Sequence, residues 1–340
     1  MSLRDSTISG RTTGPEPGTD PSPGDGAAAG SWTARFDWRE HAIYIGFVVV
    51  FLLFAVTLGD DGFLTATNLL NIVRQTAVIA VMAVAVTFVI AAAQIDLSVG
   101  SVAGLSSVVT ALTLSATGDV VLGVLAGIGV GLCVGVVNGG LVAYAGIPSF
   151  LVTLAMLGIA AGIAQWISGF QPVPILDRTF TTYFGSGDFG PIPSLLVWAA
   201  VFVVGGVVVM NKTAFGRQVL ATGGNAVAAA FSGVRVRRVT FAVLVISAVV
   251  ASIAGMLYAG RLQSGRFQWG TGDELSVIAA VVLGGTSLFG GTGRIVGSVV
   301  GAVFVGLINN GLILAGLDVS QQIIIQGVII IIAVALTRQR

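Results

Sequence analysis

Long apolar runs, separated by short polar links, dominate this sequence and constrain its fold more than any other feature. The chain is 55% hydrophobic and 9% charged, whereas soluble domains usually carry about 25% charged residues. Of the 31 charged residues, ten lie in residues 1–40 and five in residues 211–238. The long charge-poor remainder needs lipid around it. The sequence therefore predicts an all-α polytopic membrane protein.

The lengths of the apolar runs predict the number of spans, because a membrane helix needs about 20 mostly apolar residues. We predict about ten transmembrane helices, with nine or eleven as alternatives. They lie near residues 42–58, 70–93, 99–116, 120–144, 150–168, 194–210, 239–260, 274–290, 295–316 and 321–337. The third and eighth are short and rich in glycine, so we expect that either could be broken or re-entrant. The 48 glycines fit helices that pack closely through small residues.

The basic residues between the spans predict the orientation. With both termini in the cytoplasm, ten Lys and Arg residues near the spans lie inside and four lie outside, namely Arg74, Arg178, Arg261 and Arg266. Short cytoplasmic loops are enriched in Lys and Arg. The asymmetry therefore predicts an even number of spans with both termini cytoplasmic.

The segments outside the spans differ in composition. Residues 1–34 are rich in Gly, Pro, Ser and Thr, which predicts a disordered cytoplasmic tail; with an interfacial lead-in, this part covers 1–40. The membrane domain covers residues 41–338. Within it, 169–193 contains four prolines and predicts an ordered external loop, and 211–238 is the longest and most basic cytoplasmic link. Neither is large enough to be a catalytic domain.

Several classes of enzyme are excluded by the residues that the chain lacks. The only lysine, Lys212, does not belong to a G-x-x-x-x-G-K-[ST] phosphate loop. The single His41 cannot complete a Ser/His/Asp set or a zinc motif, and the single Cys133 cannot form a thiolate metal cluster. The net charge of +1 argues against binding nucleic acid. We expect no catalytic residue, cofactor or metal site in this chain.

Few ionisable residues lie in the predicted spans, where such groups usually mark an ion path. Asp96 and Arg74 lie inside spans, and Asp273 and Glu274 lie at an outer edge, which disfavours a proton-coupled carrier. Uncharged amides are more numerous and predict a polar path for a neutral hydroxylated solute. The candidates are Gln75, Gln94, Asn138, Gln165, Asn309, Asn310 and Gln326. The alternative is that each amide bonds across helices and only holds them together.

A polar run, QIDLSVGS at residues 94–101, separates two apolar segments. Asp96 or Ser98 can cap the following helix by accepting hydrogen bonds from its free backbone N–H groups, and Gly100 then permits close packing. This structural role is the default expectation. The alternative is that Asp96 contacts the solute, so Asp96 joins the candidate path residues.

The basic link contains a second patterned run, TGGNAVAAAFSGV at residues 222–234. The glycine pair and the asparagine supply a turn and a cap, residues 226–231 favour a two-turn helix, and the Ser-Gly pair ends it. A short cytoplasmic helix between turns fits a groove in a partner. The alternative is that this helix lies on lipid headgroups. Its small alanine face would anchor it only weakly there, so docking is favoured. The candidate docking residues are Gly223, Gly224, Asn225, Ala228, Ala229, Ser232 and Gly233.

These motifs resemble the membrane permeases of ribose-type ABC importers. The resemblance covers about residues 69–336, with the motifs in order and at the spacing of the family. The matching runs are IDLSVGS at 95–101, NG at 138–139, IPSF at 147–150, TL at 153–154, Thr213, GR at 216–217, Ala221, GGN at 223–225, SG at 232–233, AAVVLGGTSL at 279–288, GG at 290–291, GRI at 293–295, Gly297 and NNGL at 309–312. Together they are highly specific, although any one alone is weak.

The resemblance implies a permease subunit of the bacterial inner membrane that passes a monosaccharide or related polyol. It also implies a homodimer, a separate ABC ATPase that binds ATP and Mg²⁺ and is often a fused tandem, and an extracytoplasmic sugar-binding protein. The candidate docking residues then correspond to the coupling helix that seats in the ATPase cleft. Permeases for branched-chain amino acids or nucleosides and a self-sufficient secondary carrier are the alternatives.

The chain departs from the family pattern at two positions. Ala93 and Gln94 replace the Gly-Gly pair that often precedes the Ile-Asp-Leu-Ser run, so Gln94 either adjusts the local backbone or contacts solute. Ala226 replaces the acidic residue that often follows Asn225. Docking would therefore depend more on shape than on charge.

Overall fold

The computed structural model describes residues 38–318, 320–325, 327, 328 and 331. This part of the chain is helical almost throughout. Its helices are α1 (Trp38–Thr57), α2 (Ala66–Ala91), α3 (Val99–Thr117), α4 (Val120–Ala143), α5 (Ser149–Ser168), α6 (Arg178–Thr181), α7 (Ser194–Lys212), α8 (Ala214–Gly224), α9 (Ala226–Phe231), α10 (Val236–Leu262), α11 (Asp273–Leu283) and α12 (Ile295–Leu314). Its strands are β1 (Val173–Pro174), β2 (Asp188–Phe189), β3 (Ile192–Pro193) and β4 (Ser264–Gly265).

Seven of the described helices are long and apolar enough to cross a membrane: α2, α3, α4, α5, α7, α10 and α12. The apolar part of α1, Ile43–Thr57, is shorter. A mostly helical membrane protein with several apolar helices is therefore confirmed, although four two-residue strands depart from the all-α prediction. The count of ten spans and the position of the termini stay predictions. The predicted tail 1–34, Gln326 and most of the predicted span 321–337 lie outside the described residues.

Helix α2 lies at the centre of the fold, because it packs against α7, α10, α11 and α12. The C-terminal half of α2 is buried almost without interruption, with Val78, Val81, Met82 and Val86 among its core residues. A helix that is apolar on every side buries that surface against other helices as well as lipid. The residues that follow α2 therefore emerge in the middle of the helix bundle.

Helices α4 and α10 make the closest pairing, which depends on a row of glycines. The row repeats every fourth residue of α4: Gly123, Gly127, Gly131, Gly135 and Gly139. A Cβ at Gly131 would lie 2.7 Å from the Ala248 carbonyl oxygen, and one at Gly135 would lie 2.7 Å from the Val245 Cα. Residues four apart lie on one helix face, so the row lets the two backbones approach. The predicted packing through small residues is confirmed here.

Two predictions about irregular spans have different outcomes. The third span is a continuous helix, so the prediction that it could be broken is wrong. The eighth ends at Leu283 rather than near residue 290, because Gly285 has φ +88° and Thr286 N–H turns back to the Val281 carbonyl at 3.2 Å. A left-handed glycine with this hydrogen bond is a common helix end. Residues 284–294 then form a loop that leads into α12.

The segment 169–193 is folded rather than extended. Strand β1 pairs with β4, and β2 and β3 form a hairpin. Phe180 and Phe184 stack with centroids 4.8 Å apart, and Trp198 of α7 stacks on Phe184 at 5.3 Å. Aromatic stacking adds to the free energy of burial, which holds this segment against the N-terminal end of α7 and the C-terminal end of α10.

Candidate functional site

The predicted coupling segment, residues 211–238, contains two capped helices within residues 213–234. Thr213 Oγ1 accepts a 3.2 Å bond from Gly216 N–H at the start of α8. Asn225 Oδ1 accepts a 2.9 Å bond from Ala228 N–H at the start of α9, and Gly233 follows α9 with φ +86°. The predicted helix, its cap and its end are confirmed. Gly223 and Gly224 are not a free turn, however, because they form the last turn of α8.

The two faces of α9 differ in exposure. Ala228 is exposed, as are Val227 and Phe231, whereas Ala229 is buried at 5% exposure. Adjacent residues of a helix point about 100° apart, and in α9 this turn places Ala228 outward and Ala229 toward the rest of the chain. A partner of the coupling segment can therefore contact Ala228, Val227 and Phe231, while Ala229 packs against the chain itself.

The end of α2, the end of α8 and the loop 284–294 contact one another through their backbones. We call this contact the glycine junction; its residues are Ala91, Gly223, Gly290 and Gly291. Gly291 N–H donates a 3.0 Å bond to the Ala91 carbonyl. A Cβ at Gly223 would overlap that carbonyl oxygen and lie 2.7 Å from Gly291 N. Gly290 has φ +85°, a conformation that disfavours any side chain. The junction ties the coupling segment directly to the end of α2 and to the loop 284–294.

The linker from α2 to α3, residues 92–98, runs from this junction to a buried carboxylate. Asp96 is fully buried and accepts three hydrogen bonds: from Ser98 N–H at 2.9 Å, Ser98 Oγ at 2.6 Å and Ser247 Oγ of α10 at 2.7 Å. Neither Asp96 nor Ser98 caps α3, so that prediction is wrong. The Asp96 carboxylate accepts a hydrogen bond from the N–H of Ser98, two residues later, as in an Asx turn. It therefore stabilises the conformation of the linker and not the start of α3.

The same linker is also bonded to α4 and α5. Asn138 Nδ2 of α4 donates to Ser98 Oγ at 3.1 Å. Ile95 N–H donates to Ser149 Oγ at 3.1 Å, and Thr153 Oγ1 donates to the Ile95 carbonyl at 3.2 Å. Polar groups buried in this way are costly unless they are bonded. The linker is therefore hydrogen-bonded to α4, α5 and α10.

The candidate path amides fall into two groups. Asn310 and Asn68 exchange two amide bonds, at 3.0 and 2.9 Å, which join α12 to α2, and Asn138 bonds Ser98 as described above. No hydrogen bond joins the Gln75, Gln165 or Asn309 side chain to another described residue. The half-buried Gln94 donates only a long 3.4 Å bond to the Ala92 carbonyl.

A polar stripe on the N-terminal half of α2 contains one of these amides. Thr67, Asn71 and Gln75 are all exposed and follow each other every fourth residue, so they share one face. Sequence reasoning missed Thr67 and Asn71, although their spacing from Gln75 could have identified them. Beside the stripe, Arg74 pairs with Asp188 at 3.0 Å. The stripe thus presents uncharged donors and acceptors next to a neutralised charge.

Among the described residues, no group of three His, Cys, Asp or Glu side chains could hold a metal ion. The arrangement combines a short capped helix with an exposed face, a hydrogen-bonded linker behind it and an uncharged polar face. It can transmit a displacement and contact a neutral solute.

Comparisons with known proteins agree with this geometry. Residues 68–334 match the protein family described as branched-chain amino acid transport system permease component. The ribose import permease protein RbsC of Escherichia coli strain K12 is 36% identical over 295 residues, which cover 85% of this chain and 91% of the relative. RbsC of Bacillus subtilis strain 168 is 36% identical over 292 residues, covering 85% and 90%.

The L-arabinose ABC transporter permease protein AraH of Azospirillum brasilense is 37% identical over 327 residues, which cover 95% of each chain. No solved structure gives a significant match. The family match and the relatives each span most of the chain. The chain therefore belongs to the family of ABC importer membrane permeases that includes the ribose and arabinose permeases.

Proposed function

We propose that this chain is the permease subunit of an ATP-driven importer that passes a monosaccharide across the bacterial inner membrane. The observation that carries the proposal is the similarity to ribose and arabinose permeases over 85–95% of the chain. Pentoses are therefore the first solutes to test. The geometry supports the same function, because a docking helix is joined by backbone contacts to the centre of the bundle.

A separate ABC ATPase, as one fused tandem or two chains, supplies the energy in this proposal. It binds the exposed face of α9, and ATP and Mg²⁺ are bound by that partner. Movement of α9 and α8 reaches the Ala91 end of α2 through the glycine junction. The linker 92–98 then carries the movement to α4, α5 and α10, to which it is hydrogen-bonded.

The polar stripe of α2, with Asn309, Gln165 and Gln94, is the proposed solute path. The hydroxyls of a sugar trade water for protein hydrogen bonds, and weak pairing lets the solute leave again. Asn138, Asn310 and Asp96 are proposed to hold helices together, since each is already hydrogen-bonded to its own chain. This assignment separates the two roles that the sequence left open.

Branched-chain amino acids are the rival solutes, because they give the matching family its description. A free amino acid carries an ammonium and a carboxylate, which need charged or strongly polar partners away from water. The stripe offers Thr67, Asn71 and Gln75, and the adjacent Arg74 is paired. An uncharged path favours a sugar.

The proposed assembly is a homodimer with ten spans per chain and both termini in the cytoplasm, fed by an extracytoplasmic sugar-binding protein. Accessibility of single cysteines tests the orientation in a Cys133→Ser background. The thiol of the Leu176→Cys variant should react with a membrane-impermeant maleimide added to intact cells. The thiol of the Ala228→Cys variant should react only after the cells are opened. Reaction of the Ala228→Cys thiol in intact cells would show that the orientation is wrong.

Deletion of this chain from its bacterium tests the solute class. Energy-dependent uptake of labelled ribose or arabinose should be lost and should return with a plasmid copy. If the deletion strain loses leucine uptake and keeps sugar uptake, the transported solute is an amino acid and the proposed sugar is wrong.

A further inference from the structure

We infer that the loop 284–294 forms a second docking site for the ATPase, with Phe289 as its contact, beside the coupling helix α9. The inference rests on the proposed function, since it assumes that an ATPase binds α9. It enlarges the partner surface from one short helix to two elements that are distant in sequence.

Phe289 is displayed to solvent by an ordered loop. Its side chain is 80% exposed, although an aromatic ring gains free energy from leaving water. The loop bonds to itself below the ring: Ser287 Oγ accepts from Phe289 N–H at 3.2 Å, and Thr292 Oγ1 accepts from Ser287 N–H at 3.1 Å. Leu288 packs against the core. A side chain held in place before binding loses little entropy when a partner covers it.

The loop is continuous with the coupling segment. Gly290 and Gly291, which follow Phe289 directly, contact Gly223 and Gly224 at the end of α8. From there α9 leads to Phe231, which is 90% exposed. One partner surface can therefore cover both rings, and the backbone contacts at the glycine junction keep the two elements together.

The ATPase is favoured over the lipid surface as the occupant because of this continuity. Helix α9 has only six residues, and its exposed side chains are mostly alanine, so it contributes little apolar area for a membrane. A protein groove that takes α9 lies next to the loop and excludes water from both rings. Buried aromatic anchors of this kind often dominate a protein interface.

Affinity measurements on the full chain in lipid nanodiscs test the inference. The probe is a purified ABC ATPase of a monosaccharide importer from the same bacterium. Phe289→Ser and Phe231→Ser should each raise the Kd about tenfold or more, while the melting temperature stays the same because both rings are exposed. Leu176→Ser is the matched control: Leu176 is 90% exposed but lies in the segment 169–193, and its substitution should leave the Kd unchanged.

The outcomes separate this inference from the proposed function. If Phe231→Ser or Ala228→Glu weakens binding and Phe289→Ser does not, the second docking site is wrong and the coupling segment stands. If no ATPase binds the wild-type chain, the proposed function fails.

A second measurement distinguishes the ATPase from lipid. A bimane label on Phe289→Cys, with Cys133→Ser, should escape quenching by nitroxide lipids in the nanodisc and shift to the blue when the ATPase is added. Quenching by the lipids before the ATPase is added would mean that the membrane covers this position and would overturn the inference.

Discussion

Ser247 donates a 2.7 Å hydrogen bond to the buried carboxylate of Asp96, 151 residues earlier in the chain. The bond connects two routes that both begin at the coupling segment. One passes from Gly223 through Ala91 to the linker that contains Asp96. The other continues from α9 directly into α10, which contains Ser247. The two routes meet at this bond, which joins the linker 92–98 to α10.

Removing the hydroxyl of Ser247 tests this connection. Ser247→Ala leaves Asp96 with one donor fewer in a buried site, which should destabilise the fold by about 1–3 kcal/mol. A lower melting temperature of the purified protein is the expected result. Thr57→Ala is the control, since the exposed Thr57 hydroxyl bonds only to its own helix at the Leu53 carbonyl. Equal melting temperatures for the two variants would show that the bond contributes nothing.

Adjacent glycines provide a matched test of the glycine junction. A methyl group at Gly223 would overlap the Ala91 carbonyl, whereas one at Gly224 would meet only the Gly291 Cα at 3.8 Å. Gly223→Ala should therefore separate α8 from α2 and abolish most solute uptake, and Gly224→Ala should retain it. Uptake by membrane vesicles measures the difference. Retention of uptake by Gly223→Ala, with normal expression, would contradict the proposed route.

Two adjacent asparagines distinguish a structural amide from one on the path. Asn310→Ala removes both amide bonds between α12 and Asn68, which keeps only its bond to the Phe63 carbonyl. It should cost roughly 1–2 kcal/mol of stability, seen as a lower melting temperature. Asn309→Ala breaks no hydrogen bond to a described residue and should reduce uptake while the melting temperature stays near that of wild type. A proportional loss of stability and uptake in both variants would mean that Asn309 is not on the path.

Opposite faces of α9 should respond differently to charge. Ala228→Glu adds a carboxylate to the exposed face and should weaken ATPase binding without unfolding the chain. Ala229→Glu buries a carboxylate at a position that is 5% exposed, and such a charge is costly. It should lower expression and the melting temperature. Co-purification with the ATPase, scored against the yield of folded permease, separates the two effects. If the Ala228→Glu variant co-purifies with the ATPase as well as wild type does, α9 does not belong to the ATPase interface.

Local signals predicted the parts of the fold that depend on neighbouring residues. The ends of α9 follow from the cap at Asn225 and the left-handed Gly233, both of which act within a few residues. Such features need no knowledge of the rest of the chain.

Features that depend on distant contacts could not be predicted in the same way. The close approach of α11 to α12 is one example, because a Cβ at Gly284 would overlap the backbone of Gly297 in α12 and no nearby residue signals that contact. Asn309 and Asn310 have the same chemistry, and only the position of Asn68 across the bundle separates their roles. Ala228 and Ala229 likewise differ only in what lies behind the helix.

Sugar uptake by the reconstituted complex tests whether this chain is the permease of an ATP-driven sugar importer. Proteoliposomes would contain this chain with its ATPase, and the sugar-binding protein and labelled ribose or arabinose would be added on the binding-protein side. The account predicts accumulation that needs ATP, the ATPase and the binding protein together, and that is lost in the Gly223→Ala variant. Accumulation by this chain alone, without an ATPase, would contradict the account and identify a self-sufficient carrier.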